Sequence, residues 1–370
     1  MIAYRAILAA IALERFAWYL FLGALALWRS PAEVGTLLFW GYLAPLLGGY
    51  LGRFSLRATV FAGASLLLCG YATAALDRSP IPLLALGCGL FKPCLSALLG
   101  SLFPVGPERT RAFGRYYAAI QVGSMPSTLV GGYLHYRYGW SAAFGAAALA
   151  LAACVAVLLA NWSKLAPPRQ SIAESVIDHI ERPQWGRLAV LLVGAVLFFA
   201  GFQQQQTSLV LWARDVVRAD MPESVSTLNP VFAALLLCTP LAAWTGLRSR
   251  LVAAMLSLAA GFVLLCIDSS MSGLVGWYFL ATVGEVLISP LGLDLSTSLV
   301  PRRLASVATA LWLSSMAVGG KLAGVLGSAE PRLAVRVSLA LALCGVLWFF
   351  VELREEQRFQ VETRGVLCPV

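Results

Sequence analysis

The stretch GLFKPCLSALLG, Gly89 to Gly100, sets a lysine in an almost wholly apolar run, with a proline directly after it. No aspartate or glutamate lies within ten residues of Lys92 on either side. An ionised group in apolar surroundings is costly unless it is paired or in use. What surrounds the run decides how it is read. Hydrophobic residues make up 59% of the 370-residue chain, charged residues 12%, and the mean hydropathy is +0.80. Soluble domains carry about 25% charged residues. The chain therefore reads as an all-α polytopic membrane protein, and Lys92 as a cation inside a span.

A span needs about 20 mostly apolar residues. Breaking the chain at charges, prolines and glycine clusters predicts twelve transmembrane helices. They run near 6–28, 33–52, 58–76, 81–103, 112–134, 140–161, 187–212, 226–246, 250–268, 273–298, 305–327 and 333–352. With the N-terminus inside, 17 of the 27 Lys and Arg residues fall in cytoplasmic segments and seven in outer ones. The other three, Arg15, Lys92 and Lys321, lie within spans. This bias predicts that both termini are cytoplasmic. It also accounts for the net charge of +9 without a nucleic-acid partner. The expected organisation is a six-helix bundle over 1–161, a cytoplasmic linker over 162–186, a second six-helix bundle over 187–352 and a cytoplasmic tail over 353–370. Ser171 to Pro183 in the linker has the pattern of a short amphipathic surface helix.

The eight cysteines are scattered singly, with no CxxC pair, and His135 and His179 sit at the membrane edges. No metal site, cofactor or nucleophile–base pair emerges, so an enzyme is not expected. The chemistry rests on six ionisable residues within spans: Glu14, Arg15, Lys92, Glu285, Asp294 and Lys321. Glu14 and Arg15 lie about 14 Å into the first span at helical rise. Lys92 descends to a similar depth from the other side, so Glu14 is its expected counter-charge. Such a cluster can carry transport, or it can simply lock helices together. Asp294 is equally well explained as a partner of Arg302 and Arg303. Lys321, in GGKLAG, reads as a snorkelling lysine at a helix-packing site.

These charges sit inside longer strings. LERFAWY (Leu13–Tyr19), YLAPLLGGYL, GLFKP, YYAAIQVGS and GYLHYRYGWSAAFG follow one another through the first half. FQQQQTSLVLWA, TLNP, GEVLISPLGL and ALWLSSMAVGGKLAG follow through the second. In this order and spacing the chain resembles the proton-dependent oligopeptide transporters of the major facilitator superfamily, whose plan is six spans, an inner linker and six spans. The resemblance implies a secondary active transporter of di- and tripeptides or related zwitterions, working by proton-coupled alternating access in a cell membrane, with a bacterial inner membrane expected. It implies proton coupling and carboxylate binding at Glu14, Arg15 and Lys92, and amino-group binding at Glu285. Pocket positions fall on Tyr19, Tyr42, Gln121, Gln203, Asn229 and Trp312. The implied partners are a peptide-like substrate, protons and the lipid bilayer, with the chain a monomer.

Several positions depart from the family pattern. Its first first-helix glutamate is Ile11 here, and a cross-bundle arginine–glutamate pair falls on Leu22 and Gln203. Losing both members together avoids stranding a buried charge. The competing expectations are a facilitator or exporter of another small amphiphilic compound with reduced proton coupling, and a non-transporting sensor on the same scaffold.

Overall fold

The computed structural model describes residues 2–52, 54–103, 107–165, 183–237, 239, 241, 247–300 and 304–352. Every regular element among them is helical. Long apolar runs in the absence of water leave the helix as the way to satisfy each backbone amide within one segment.

In the first half, α1 (Ile2–Trp28), α2 (Pro31–Leu43), α3 (Pro45–Gly52), α4 (Leu56–Ala75) and α5 (Ile81–Ser101) are followed by α6 (Pro107–Ser124), α7 (Ser127–Tyr138) and α8 (Trp140–Ala160). In the second half come α9 (Trp185–Phe202), α10 (Ser208–Asp215), α11 (Leu228–Leu237), α12 (Leu247–Ile267), α13 (Met271–Ser298), α14 (Ala305–Gly327) and α15 (Pro331–Glu352). Ten stretches are long and apolar enough to cross a membrane, among them α2 with α3 as one span and α9 to α10 as another. The expected spans near 112–134 and 226–246 correspond to α6 with α7 and to α11, which are shorter or interrupted helices. Proline explains two of the breaks: Pro45 parts α2 from α3, and Pro126 parts α6 from α7. The turn between α7 and α8 is Gly139 alone, at φ 83°, a conformation that a side chain would oppose.

Buried apolar side chains gather into one cluster drawn from residues 7–165 and a large second one drawn from 191–349. The two halves meet along glycine seams. A methyl on Gly35 would come within 2.8 Å of the Gly324 Cα, so α2 and α14 cross backbone to backbone. Small residues of this kind let helices approach closely in lipid. Lys321 lies on this seam and donates to Thr36 Oγ1 at 2.8 Å, the packing position its sequence context suggested. The amphipathic stretch after Ser171, the side chain of Asp294, and Arg302 and Arg303 lie outside the described residues.

Candidate functional site

The first half carries its charges on α1 and α5. Glu14 is wholly buried and accepts two hydrogen bonds from the adjacent Arg15, at 2.6 and 3.1 Å. The planar guanidinium fork occupies both carboxylate oxygens, the geometry that favours arginine in buried pairs. The expected pairing of Lys92 with Glu14 is therefore not made. The Lys92 ammonium lies over the Trp18 ring instead, 3.9 Å from its centroid. Trp18 follows Glu14 by four residues on α1, so it shares the face that Glu14 presents. A π face attracts a cation without supplying a formal counter-charge. Tyr19, one turn beyond Arg15, and Tyr42 on α2 are partly buried in the same half.

α6 lies tightly on α1 because Gly123 faces the backbone of Ala12 with no room for a side chain. This contact places Gln121 within one turn and Tyr117 within two turns along the same helix. The Ser124 hydroxyl donates to the Gln121 backbone carbonyl at 3.1 Å.

In the second half, α13 presents Glu285 and α11 presents Asn229. The Asn229 amide donates to Glu285 Oε2 at 3.0 Å and to Thr282 Oγ1 at 3.1 Å. Thr282 in turn donates to the Tyr278 carbonyl at 2.6 Å, which fixes its rotamer and, through it, the asparagine. Tyr19, Tyr42 and Tyr117 of the first half lie close enough to Glu285 to feel its charge. Among the described residues, no ion pair joins Glu285 to Arg15 or Lys92. The arrangement thus holds a cationic end and an anionic end on opposite halves with no bridge between them.

Gln203 and Trp312 are placed differently from these residues. Trp312 is buried against Phe199, 6.0 Å between ring centroids, and its ring fills the space that a side chain on Gly292 would need. Gln203 opens a 3₁₀ turn, Gln203–Gln206, that interrupts the span between α9 and α10. All four glutamines of this turn are buried. Gln204 holds the break together: its carbonyl accepts from Thr207 at 3.0 Å and Ser208 at 2.6 Å, and its amide donates to the Ala200 carbonyl at 3.1 Å. Broken helices within a membrane are tolerated where protein re-satisfies the freed backbone groups.

Hydrogen bonds between described residues of the first half and of the second lie toward the face that carries the α1–α2 and α7–α8 turns. Among them are Lys321 to Thr36, Thr128 with Thr227, and His135 with Glu223. The last joins His135 Nδ1 and Glu223 Oε1 at 2.8 Å, with Glu223 almost fully buried. Sequence reading passed over Trp18, Thr282, Gln204, His135 and Glu223. An acid following a proline near the start of a span was the local signal for Glu223. Nothing in the sequence spacing joins it to a histidine 88 residues earlier.

A family model described as POT family matches residues 57–185. A peptide transporter of Yersinia enterocolitica subsp. palearctica is 25% identical, over 90% of this chain and 90% of that protein. Dipeptide and tripeptide permease A of Proteus mirabilis is 26% identical, over 85% of this chain and 83% of its own length. Among solved structures, a peptide transporter POT in complex with sulfate superposes with a TM-score of 0.85 at 19% identity, covering 96% of this chain and 94% of that one. A POT family transporter in complex with 5-aminolevulinic acid superposes with a TM-score of 0.82 at 14% identity, covering 95% of each chain.

Proposed function

We propose that the chain is a member of the POT family, a multi-pass cell-membrane transporter that moves di- and tripeptides or related zwitterions by proton-coupled alternating access. The single observation that carries this reading is the unbridged separation of charge, with Arg15 and Lys92 on one half and Glu285 with Asn229 on the other. A zwitterion of peptide length satisfies both ends at once. Its carboxylate meets Lys92 and Arg15, and its amino group meets Glu285, which Asn229 orients. Only a molecule with both groups closes the gap between the halves, so binding energy is spent on drawing them together. Tyr19, Tyr42, Tyr117 and Gln121 supply aromatic and amide surface between the poles. Gln203 and Trp312 act from behind, Gln203 at the break in its span and Trp312 as the packing support of α13.

The proposed organisation is two six-helix bundles, 1–161 and 187–352, joined by a cytoplasmic linker, with both termini cytoplasmic and the chain a monomer in the bilayer. In this orientation the turn face is the outer face. The hydrogen bonds there join the two halves on that face. Glu14 holds Arg15 through both carboxylate oxygens, so its protonation would release Arg15 toward a substrate carboxylate. This is the step at which a proton and a peptide compete for the same guanidinium.

Uptake of a labelled dipeptide set into proteoliposomes, with and without an inward proton gradient, tests the reading. Accumulation above equilibrium that depends on the gradient is expected. Uptake only to equilibrium would mean that coupling was lost with the charges absent at Ile11, Leu22 and Gln203. No uptake of any peptide would overturn the substrate class.

A further inference from the structure

Lys92 is a cation held by a side chain that brings no charge. Its ammonium lies 3.9 Å from the centroid of the Trp18 ring. Among the described residues no carboxylate forms an ion pair with it. The reason is local. Glu14 is the one acid on α1, and α5 carries none. Both oxygens of Glu14 are taken by Arg15. Glu14, Arg15 and Lys92 together therefore leave one positive charge over, and it falls on Lys92.

Both sides of the contact are built. At this level α5 is fixed by its fit to α3: a methyl on Gly48 would come within 3.0 Å of Pro93 Cγ, and Gly89 has no room against Ala44. The Trp18 ring is only 4% exposed. Gly41 of α2 lies against its far edge, where a methyl would meet Cη2 at 3.5 Å. The backbone of α5 and the indole are thus both set, and the flexible lysine stem is the one mobile part between them. Glu14 is near enough to act on Lys92. It stands one turn from Trp18 on the same face of α1, so the ammonium has an anion and a ring to choose between. The ring takes it.

Resting on the transporter reading above, we propose that Trp18 is a positioning residue that makes the site demand a carboxylate. Its ring parks the Lys92 ammonium away from Glu14 with the surplus charge uncompensated, and the substrate carboxylate supplies the charge that is missing. A π face attracts a cation but adds no anion, so it competes with an incoming carboxylate far less than a carboxylate side chain would. Without the ring, Glu14 becomes the nearest partner for Lys92, and a substrate would first have to break that pair. A ligand whose carboxylate is replaced by a neutral amide gains nothing from the parked cation. The preference for the acid over the amide is therefore the property that Trp18 sets, although its ring lies behind the lysine and not against the substrate.

The test has two readouts on the full-length protein in nanodiscs. The chain has three lysines, Lys92, Lys164 and Lys321, so lysine labelled with carbon-13 at its ε-carbon gives three resonances. The Lys92 signal, assigned by its loss in K92R, should lie upfield of the other two because it sits over the indole face. W18L should return it to their range, and W18F should keep part of the shift. A Lys92 signal that is not upfield, or that W18L leaves in place, overturns the proposal. The second readout is competition by alanylalanine and by its C-terminal amide against a labelled dipeptide. W18L should lower the acid-to-amide preference about tenfold, and W18F should stay within about threefold of wild type. Equal losses for acid and amide would mean a packing role only and overturn the proposal. Should W18L fail to fold, tetrafluorotryptophan at position 18 decides: it keeps the ring's shape, withdraws its negative face and should lower the preference as W18L does. Absence of any dipeptide binding to the wild type would instead overturn the substrate reading. The lysine resonance needs no ligand and would still decide whether Trp18 holds Lys92.

Discussion

Replacing Glu14 by glutamine gives the most demanding test of the charge layer. The carboxylate is fully buried and takes both hydrogen bonds of the Arg15 fork, at 2.6 and 3.1 Å. An amide of the same shape can accept one of them but brings no negative charge. Arg15, itself only 8% exposed, would then share its layer with Lys92 and no anion. Removing one member of a buried pair costs about 3–5 kcal/mol, because the survivor stays charged and buried. At 1.4 kcal/mol per factor of ten, that lowers the folding equilibrium by roughly a hundredfold to a few thousandfold. The double variant Glu14→Gln with Arg15→Gln removes both charges and should recover at least half of the loss. Equilibrium unfolding in mixed micelles measures wild type, both single variants (Glu14→Gln and Arg15→Gln) and the double variant. A Glu14→Gln protein within about 0.5 kcal/mol of wild type would refute the reasoning, and so would single costs that simply add in the double variant. In proteoliposomes the single variant should lose gradient-driven accumulation while any downhill exchange persists.

Lys92→Ala and Glu285→Ala should each abolish uptake, while Lys321→Ala, which loses only a seam contact to Thr36, should not; equal loss from all three in an uptake assay would indicate folding damage. Asn229→Leu removes the donor that orients Glu285 and should weaken substrate binding about tenfold or more, as measured by equilibrium binding of a labelled dipeptide. Trp18→Leu takes the ring face from Lys92 and should cost about 2 kcal/mol in the same unfolding assay. Gly324→Val would drive a side chain into the Gly35 backbone, since even its Cβ would lie 2.6 Å from the Gly35 Cα. It should cost about 1–3 kcal/mol in the same unfolding assay.

Membrane character and the succession of apolar helices were legible in the residues alone. Composition and span length depend only on local sequence, and a membrane leaves few folds for such a chain. Glu285 and Asn229 were each singled out by strings that resemble a known family, while the hydrogen bond between them came only with the tertiary structure. The partner of Lys92 did not follow. Depth alone placed Glu14 opposite it, yet Glu14 was already taken by its neighbour in the chain, and Trp18 one turn away received the lysine. Depth along a helix can be counted from sequence, but the direction a side chain faces depends on how each helix is rotated against its neighbours. That rotation is set by glycine seams such as Gly35 on Gly324 and Gly123 on Ala12, whose effect exists only when two helices touch. The same reason hid the pair at His135 and Glu223. Its members are ordinary edge residues in the sequence, and only the closing of one half on the other buries a carboxylate beneath a histidine.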